Sequence, residues 1–359
     1  MKKYFFSSLM LVVSLCMLSS CDKKDDDNSG GGISQIDFVE NYFSIENGLF
    51  RSGAMPESTS TESLGDVEMN DKALASGSNF IRIASDKEFS SFLVGVEGVD
   101  AYYEVGSSSV AGTRADQYFY VIPLTYGPGY STDIVMIIKG RDGAGNVTIA
   151  YKKKVTYVES LEGDLTINLT FDRERDLDLH LLTPSGNHIF YNDRNWEVET
   201  SDGRTISYGL DHDSNADCKI DGLNNENIVI PEEAIEGGIY QIYLEMYKNC
   251  EYEEGIDLNW QLAVRYKGRL VKNTLTLPTE WENSVTYDDK GSTVKSTTSD
   301  KNPVWGKYPW DAHERLQQYV MTFQIKSASR GETAPKIKSI YKPTLIDIAK
   351  EMDRQEGIR

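Results

Sequence analysis

Asp176-Leu177-Asp178-Leu179-His180-Leu181 alternates polar and apolar residues without a break. Successive side chains of an extended chain point to opposite faces, so a period of two commits this segment to a β-strand. Leu177, Leu179 and Leu181 then share a core face, and Asp176, Asp178 and His180 share the other. Residues 165–171 repeat the alternation. Short runs of the same kind recur at 80–84, 92–96, 101–105, 117–124, 134–139 and 147–158, and again at 228–230, 240–247, 258–266 and 318–325. Strands this short and this regularly interrupted by turns predict an all-β protein made of sandwiches. About 339 residues remain once a leader over residues 1–20 is set aside. That is enough for two ordinary domains, placed at 70–159 and 163–328.

Between the last two runs of the first domain lies Asp142-Gly143-Ala144-Gly145-Asn146, a turn that reads as a hairpin. It resembles the final hairpin of bacterial Ig-like domains, a likeness that covers residues 70–159. Residues 34–69 hold Phe38, Tyr42, Phe43 and Phe50 but also Pro56 and a Ser/Thr-rich stretch, and are expected to form an irregular lead-in. Residues 272–312 read as an insertion in the second domain. Residues 329–359 read as a linker and a C-terminal amphipathic helix. Thr344 and Asp347 there have the spacing of a capping box, and Leu345, Ile346, Ile348, Ala349 and Met352 form one apolar face that packs on the parent domain or docks a partner.

The leader has Lys2 and Lys3, an apolar stretch over 4–18 broken by serines, and small residues before Cys21. It is a secretory signal, too short and too polar to span a bilayer core about 30 Å thick. Leu18-Ser19-Ser20-Cys21 resembles a bacterial lipobox, which implies cleavage before Cys21 and lipidation of that cysteine. Residues 21–33 are an acidic, Gly-rich flexible tether. Its Lys-Lys-Asp-Asp-Asp run resembles the surface-export signal of Bacteroidetes lipoproteins. The resemblance implies an outer-membrane lipoprotein facing the cell exterior; a plain tether within the periplasm is the alternative.

The formal charge is −19, and −21 once Lys2 and Lys3 have left with the leader. This balance excludes nucleic acid, whose affinity rests on Lys and Arg at phosphates. It also disfavours anionic lipid surfaces, so the N-terminal lipid is the expected membrane contact. Calcium and neutral glycans are compatible with it. Of four cysteines, Cys218 and Cys250 remain for the folded chain. Two cysteines in an exported protein usually pair. Closing that loop contributes about 3–4 kcal/mol in the chain-entropy picture. The alternative is a pair of buried thiols.

The segment Gly209-Leu210-Asp211-His212-Asp213-Ser214-Asn215-Ala216-Asp217-Cys218 carries side-chain oxygens at Asp211, Asp213, Asn215 and Asp217. A loop of alternating Asp and Asn can wrap a hard cation that takes six to eight oxygens at about 2.3–2.6 Å, so calcium is the expected cofactor. The bland alternative is a solvated acidic loop. An EF-hand is ruled out: Ala216 stands where that loop needs glycine, and Gly222 where it needs glutamate. Asp-Leu-Asp-Leu-His (176–180), Thr-Pro-Ser-Gly (183–186), Leu-Asp-His-Asp (210–213) and Glu-Asn-Ile (226–228) follow in this order. Together they resemble the YfaP/DUF2135 family of exported β-sandwich domains over residues 165–265. The resemblance implies a jelly-roll-like accessory module without a defined enzymatic activity, with Asp176, Asp178 and Glu226 joining the loop at the cation. The Cys218–Cys250 pair and the strands after 266 depart from the family.

Only His180, His188, His212 and His313 are present, with no His-Glu-x-x-His and no Cys-x-x-Cys, which argues against a zinc enzyme. Gly-x-Ser-x-Gly and phosphate-binding Gly-Lys-Ser/Thr sequences are also missing, so the chain is not expected to be an enzyme. Trp260 reads as core. Trp281, Trp305 and Trp310 lie in the insertion, where they either stack on a ligand or pin the insertion to the sandwich. The leading expectation is a non-catalytic surface lipoprotein that binds a glycan or protein partner through a calcium-stabilised module. The alternatives are a structural accessory subunit of an outer-membrane complex and a glycoside hydrolase using a carboxylate pair.

Overall fold

Alternating strands bury one face each, and the chain meets that demand by stacking sheets in pairs. The structure, a computed structural model, describes residues 33–107, 111–114, 117–250, 257–273, 302–312, 314–326 and 337–338. The leader, Cys21, the tether, Trp281 and the C-terminal helix expected near 344–357 lie outside the described residues. The fold is all-β, and no helix among the described residues is long and apolar enough to cross a membrane.

In the first sandwich one sheet has the order β1 (Phe43–Ser44), β9 (Gln117–Tyr126), β5 (Ser78–Ser85), β3 (Asp66–Glu68), with β8 (Ala111–Arg114) also on β9. The facing sheet runs β2 (Leu49–Ser52), β7 (Ala101–Gly106), β6 (Ser91–Val96), β10 (Ile134–Arg141), β11 (Tyr151–Val158), β4 (Lys72–Leu74). Ile81, Ile83, Tyr120 and Ile122 of one sheet meet Phe92, Val94, Met136 and Val155 of the other in a single core. The turn between β10 and β11 forms as expected. The Asp142 carboxylate accepts the main-chain N–H groups of Ala144 at 2.9 Å and Asn146 at 2.8 Å.

Residues 34–69 are not an irregular lead-in. They supply the α-helix α1 (Gln35–Asn41) and three strands, β1, β2 and β3, to this sandwich. Burial of aromatic area drives this: Phe38, Phe43, Phe50 and Tyr103 cluster with ring centroids 5.2–6.1 Å apart. Ser34 caps α1 by accepting the N–H of Asp37.

The second sandwich has a large sheet ordered β20 (Arg269–Leu270), β19 (Leu258–Tyr266), β12 (Leu165–Phe171), β17 (Asn225–Ile230), β16 (Thr205–His212), β15 (Asn195–Glu199), β23 (Ile337–Lys338). The strand β21 (Val304–Tyr308) also pairs with β19. The smaller sheet runs β14 (His188–Ile189), β13 (Asp176–Leu182), β18 (Gly238–Lys248), β22 (Leu316–Ile325). Leu165, Ile167, Leu169, Phe171, Ile228 and Trp260 pack against Leu177, Leu179, Leu181, Leu244 and Phe323 between the sheets. Two expected boundaries change. The end of the supposed insertion is the core strand β21, and the supposed C-terminal linker contributes β23 to the edge of the large sheet.

The outer face of the large sheet is not solvated. Asn168, Thr170, Asn225 and Asn227 are buried there and bond one another, with Asn168 Nδ2 donating to Asn225 Oδ1 at 2.7 Å and Asn225 Nδ2 to Thr170 Oγ1 at 2.6 Å. The first sandwich covers them: the Ser78 N–H donates to Thr170 Oγ1 at 3.3 Å, Arg265 Nη1 to the Ser76 carbonyl at 2.9 Å, and Phe80 meets Trp305 edge-on at 5.5 Å. Polar groups buried in this way must find partners, and an asparagine amide supplies two donors and an acceptor for the purpose.

Trp260 is fully buried, and its ring lies on Gly306: a Cβ there would stand 2.0 Å from Trp260 Cζ2. A methyl group cannot be accommodated without moving a buried tryptophan ring. Gly306→Ala is therefore expected to lower stability by about 1–3 kcal/mol in denaturant unfolding. Gly143→Ala, whose Cβ would meet nothing within 4 Å, should leave it unchanged.

Candidate metal centre

Strand β13 carries Asp176, Asp178 and His180 on one face, as the alternation predicts, but that face is buried too. In register across β18, Asp178 stands beside Glu245 and His180 beside Tyr243. Asp213 follows the end of β16, and Glu226 belongs to β17. One oxygen each from Asp178, Asp213 and Glu226 converge so that all three lie within 4.8 Å of one another. Asp178 is 2% exposed and Glu226 0%.

Each member keeps an oxygen without a partner: Asp178 Oδ2, Asp213 Oδ1 and Glu226 Oε2. Two of the remaining oxygens are used locally. Glu226 Oε1 accepts the Ser214 N–H at 2.7 Å, and Asp213 Oδ2 faces Arg194 Nη1 at 3.3 Å. Burial pushes the Asp178 and Glu226 carboxyls well above the usual carboxylate range, and repulsion from neighbouring acids adds to it. Burial also raises Asp213, against the pull of Arg194. Asp176 is buried beside them, accepts the Asp217 N–H at 2.8 Å and is pushed up to about 6, first by burial and then by Asp213. At this spacing two like charges repel by roughly 3–4 kcal/mol at an effective dielectric constant of about 20. Three ionised carboxylates therefore need either protons or a cation among them. A hard dication suits an all-oxygen donor set of this kind, with Asp178, Asp213 and Glu226 as its carboxylate ligands and Asp176 at its margin.

The other residues expected at the cation are placed elsewhere. Asp211 sits at a bulge in the β16–β17 ladder, where Leu210 pairs with Ile228 and His212 with Asn227. A bulge adds a residue and re-aims its side chain. Asp211 Oδ2 accordingly accepts the Leu161 N–H at 2.9 Å, in the segment joining the sandwiches. Asn215 is buried but serves the loop: its Nδ2 donates to the Arg175 carbonyl at 3.0 Å and to Asn224 Oδ1 at 2.8 Å, and its Oδ1 accepts the Asp221 N–H at 3.2 Å. Asp217 is exposed and pairs with Lys248. Left-handed backbone at Asn215, Asp217 and Cys218, with φ of 61°, 54° and 62°, breaks the alternation that would have aimed all four side chains at one point. The Cys218–Cys250 disulfide forms, with its Cα atoms 5.3 Å apart, and ties this loop to the chain just after β18. Of the expected aromatic ligands, Trp305 is partly buried against Phe80. Trp310 is partly buried too, its main-chain N–H donating to Asp257 Oδ1 at 3.2 Å.

A second buried group adjoins the acids and was not expected. His180 Nδ1 and His188 Nε2 are 2.9 Å apart, and the Tyr243 hydroxyl is 2.8 Å from the same His188 nitrogen. Glu245 Oε1 lies 2.9 Å from Arg315 Nη1, and its Oε2 lies 3.5 Å from His180 Nε2. The signal for Glu245 was an acid inside the apolar run Ile242-Tyr243-Leu244-Glu245-Met246, which has no place in a strand buried on both faces unless it is paired. No family model matches the chain, and no curated protein matches it.

Burial lowers the His188 pKa to about 3, so the folded protein holds this ring neutral. The unfolded chain takes up its proton near pH 6.5. The stabilisation is therefore complete above about pH 6.5 and is lost as pH falls toward 3. In urea unfolding, the stability advantage of the wild type over His188→Gln should shrink by about 2 kcal/mol between pH 7 and pH 5. Parallel curves would mean the ring is not held neutral.

Proposed function

We propose that this chain is a non-catalytic, lipid-anchored binding protein of the outer membrane, displayed toward the cell exterior, whose second sandwich is stabilised by calcium. The observation that carries the cation is the convergence of three unpartnered, buried carboxylate oxygens from β13, β17 and the loop after β16. Calcium is favoured over magnesium because it accepts a site completed by irregular loop oxygens, whereas magnesium demands near-ideal octahedral geometry. Cys21 is the proposed lipid attachment site. The partner is proposed to be a glycan or a protein at the cell surface, and the second sandwich to be an accessory module like those of the YfaP/DUF2135 family.

Carboxylates that hydrolyse glycosides stand about 5–5.5 Å or 6.5–9.5 Å apart, with room for sugar and water. The acids here approach more closely than that and are shielded from solvent, which supports a structural cation over hydrolysis at this place.

The test is thermal unfolding of the full chain in calcium chloride and in chelator, with calorimetric titration of the ion. Calcium at about a hundredfold over its dissociation constant adds roughly 2.7 kcal/mol, a rise of several degrees in Tm. Glu226→Gln keeps the acceptor for the Ser214 N–H but removes a buried charge. It should melt above the wild type in chelator and lose the rise in calcium. Asp211→Ala should bind calcium within about twofold of the wild type, because the Asp211 carboxylate bonds the Leu161 N–H and is not among the three that converge. Identical wild-type melting in calcium and chelator, with no heat of binding, would rule the site out. A glycan array and crosslinking on whole cells then separate the two partner classes.

A further inference from the structure

The loop that brings Asp213 to the acid triad does not end there. It continues through the disulfide at Cys218 to Asp221, Leu223 and Asn224, and these residues meet the first sandwich. Asn70 Nδ2 donates to the Leu223 carbonyl at 2.9 Å, and Asn224 Nδ2 donates back to Asn70 Oδ1 at 2.9 Å. Lys72 Nζ donates to the carbonyl of Asp221. A Cβ at Gly222 would stand 2.9 Å from Asp71 Oδ1, so the loop backbone at Gly222 lies against the Asp71 side chain.

The two ends of the loop are joined internally. Asn215 links Asn224 and Asp221, as described above, and Ser214 Oγ accepts the Asn225 N–H at 2.9 Å while the Ser214 N–H binds Glu226. On the other side Asn70 is itself held: its N–H donates to Asn79 Oδ1 at 3.2 Å, and its carbonyl accepts Asn79 Nδ2 at 3.1 Å. Asn79 is fully buried in the first sandwich. Hydrogen bonds, joined through the backbone between Asn224 and Asn225, therefore lead from the first sandwich to the triad, whose Asp178 and Glu226 are more than nine-tenths buried and keep unpartnered oxygens.

We infer that Asn70 and Lys72 of the first sandwich are positioning residues for the cation site of the second, so that cation binding and the seating of the two sandwiches reinforce one another. The inference rests on the cation reading proposed above. Fixing a loop residue costs backbone entropy, and left-handed residues such as Asn215 and Asp217 add to that cost. Hydrogen bonds from Asn70 and Lys72 meet part of it before the ion arrives. An ion that needs Asp213 in place holds the same loop against the first sandwich. Coupling of this kind is reciprocal by thermodynamic necessity.

The experiment is calorimetric titration of calcium chloride into the full chain and into Asn70→Ala, Lys72→Met and Phe80→Ala variants. Asn70→Ala and Lys72→Met leave every carboxylate untouched and should weaken calcium binding about fivefold or more. Phe80→Ala removes an aromatic contact across the same interface without touching the loop. It should lower stability and, because seating and binding are coupled, weaken calcium binding by a smaller factor than either loop variant. In the wild type, calcium should slow hydrogen exchange at the Asn70 and Phe80 amides. Should a variant fail to fold, this exchange measurement decides alone. Unchanged affinity in the Asn70 and Lys72 variants, or exchange in the first sandwich indifferent to calcium, would overturn the coupling while leaving the cation site standing. A wild type that binds no calcium would overturn both.

Discussion

Mutual repulsion among Asp178, Asp213 and Glu226 is the constraint around which the second sandwich is arranged. These acids sit on β13, on the loop after β16 and on β17, so they join the two sheets at one end of the sandwich. Elsewhere the sheets are held by leucine, isoleucine and aromatic packing, which is non-directional. At the acid end the attachment depends on charge. Neutralised, the triad is a clamp between sheets. Ionised and bare, it pushes apart β13, β17 and the loop between them. The proposed calcium would turn these mutually repelling acids into a cross-link, and the disulfide beside them limits how far the loop can withdraw.

Much of the architecture was legible because it rests on period. The alternation at 165–171 and 176–181 marks β12 and β13, and the Asp-Gly-Ala-Gly-Asn turn falls between β10 and β11 as its residues dictate. Aromatic residues at 38–50 were harder to place because their strands are only two to four residues long, too short for a period to show. Their strand character is imposed by pairing with β9 and β7, partners distant in the sequence. The buried outer face of β12 and β17 was not legible for a related reason. Asn168, Thr170, Asn225 and Asn227 look like a solvated surface until the first sandwich is laid over them.

The acid site divides along the same line. Asp178 could be placed by alternation, and Glu226 by its place in a family-like motif. Of the four oxygen-bearing residues in the 211–217 segment, only Asp213 reaches the triad. The regular spacing of that segment misled because the backbone is not regular there: a bulge turns Asp211 away, and left-handed residues turn Asn215 and Asp217. Asparagine and aspartate tolerate such conformations better than most residues, so composition that suits ligation equally suits a tight irregular turn. Glu245 and Arg315 went unrecognised because their partnership spans seventy residues and depends on register in the small sheet.

The asparagine-lined face of β12 and β17 also bears on how the chain reaches its final form. Were that face apolar, each half would carry a sticky surface until the other arrived, and a chain emerging from its N-terminus would hold an exposed patch while the remainder was still being made. Amide and hydroxyl groups make the same surface compatible with water in the meantime. Each sandwich can complete its own interior first, and the two can then close on one another by exchanging hydrogen bonds to solvent for hydrogen bonds to each other, with little risk of joining the wrong molecule on the way.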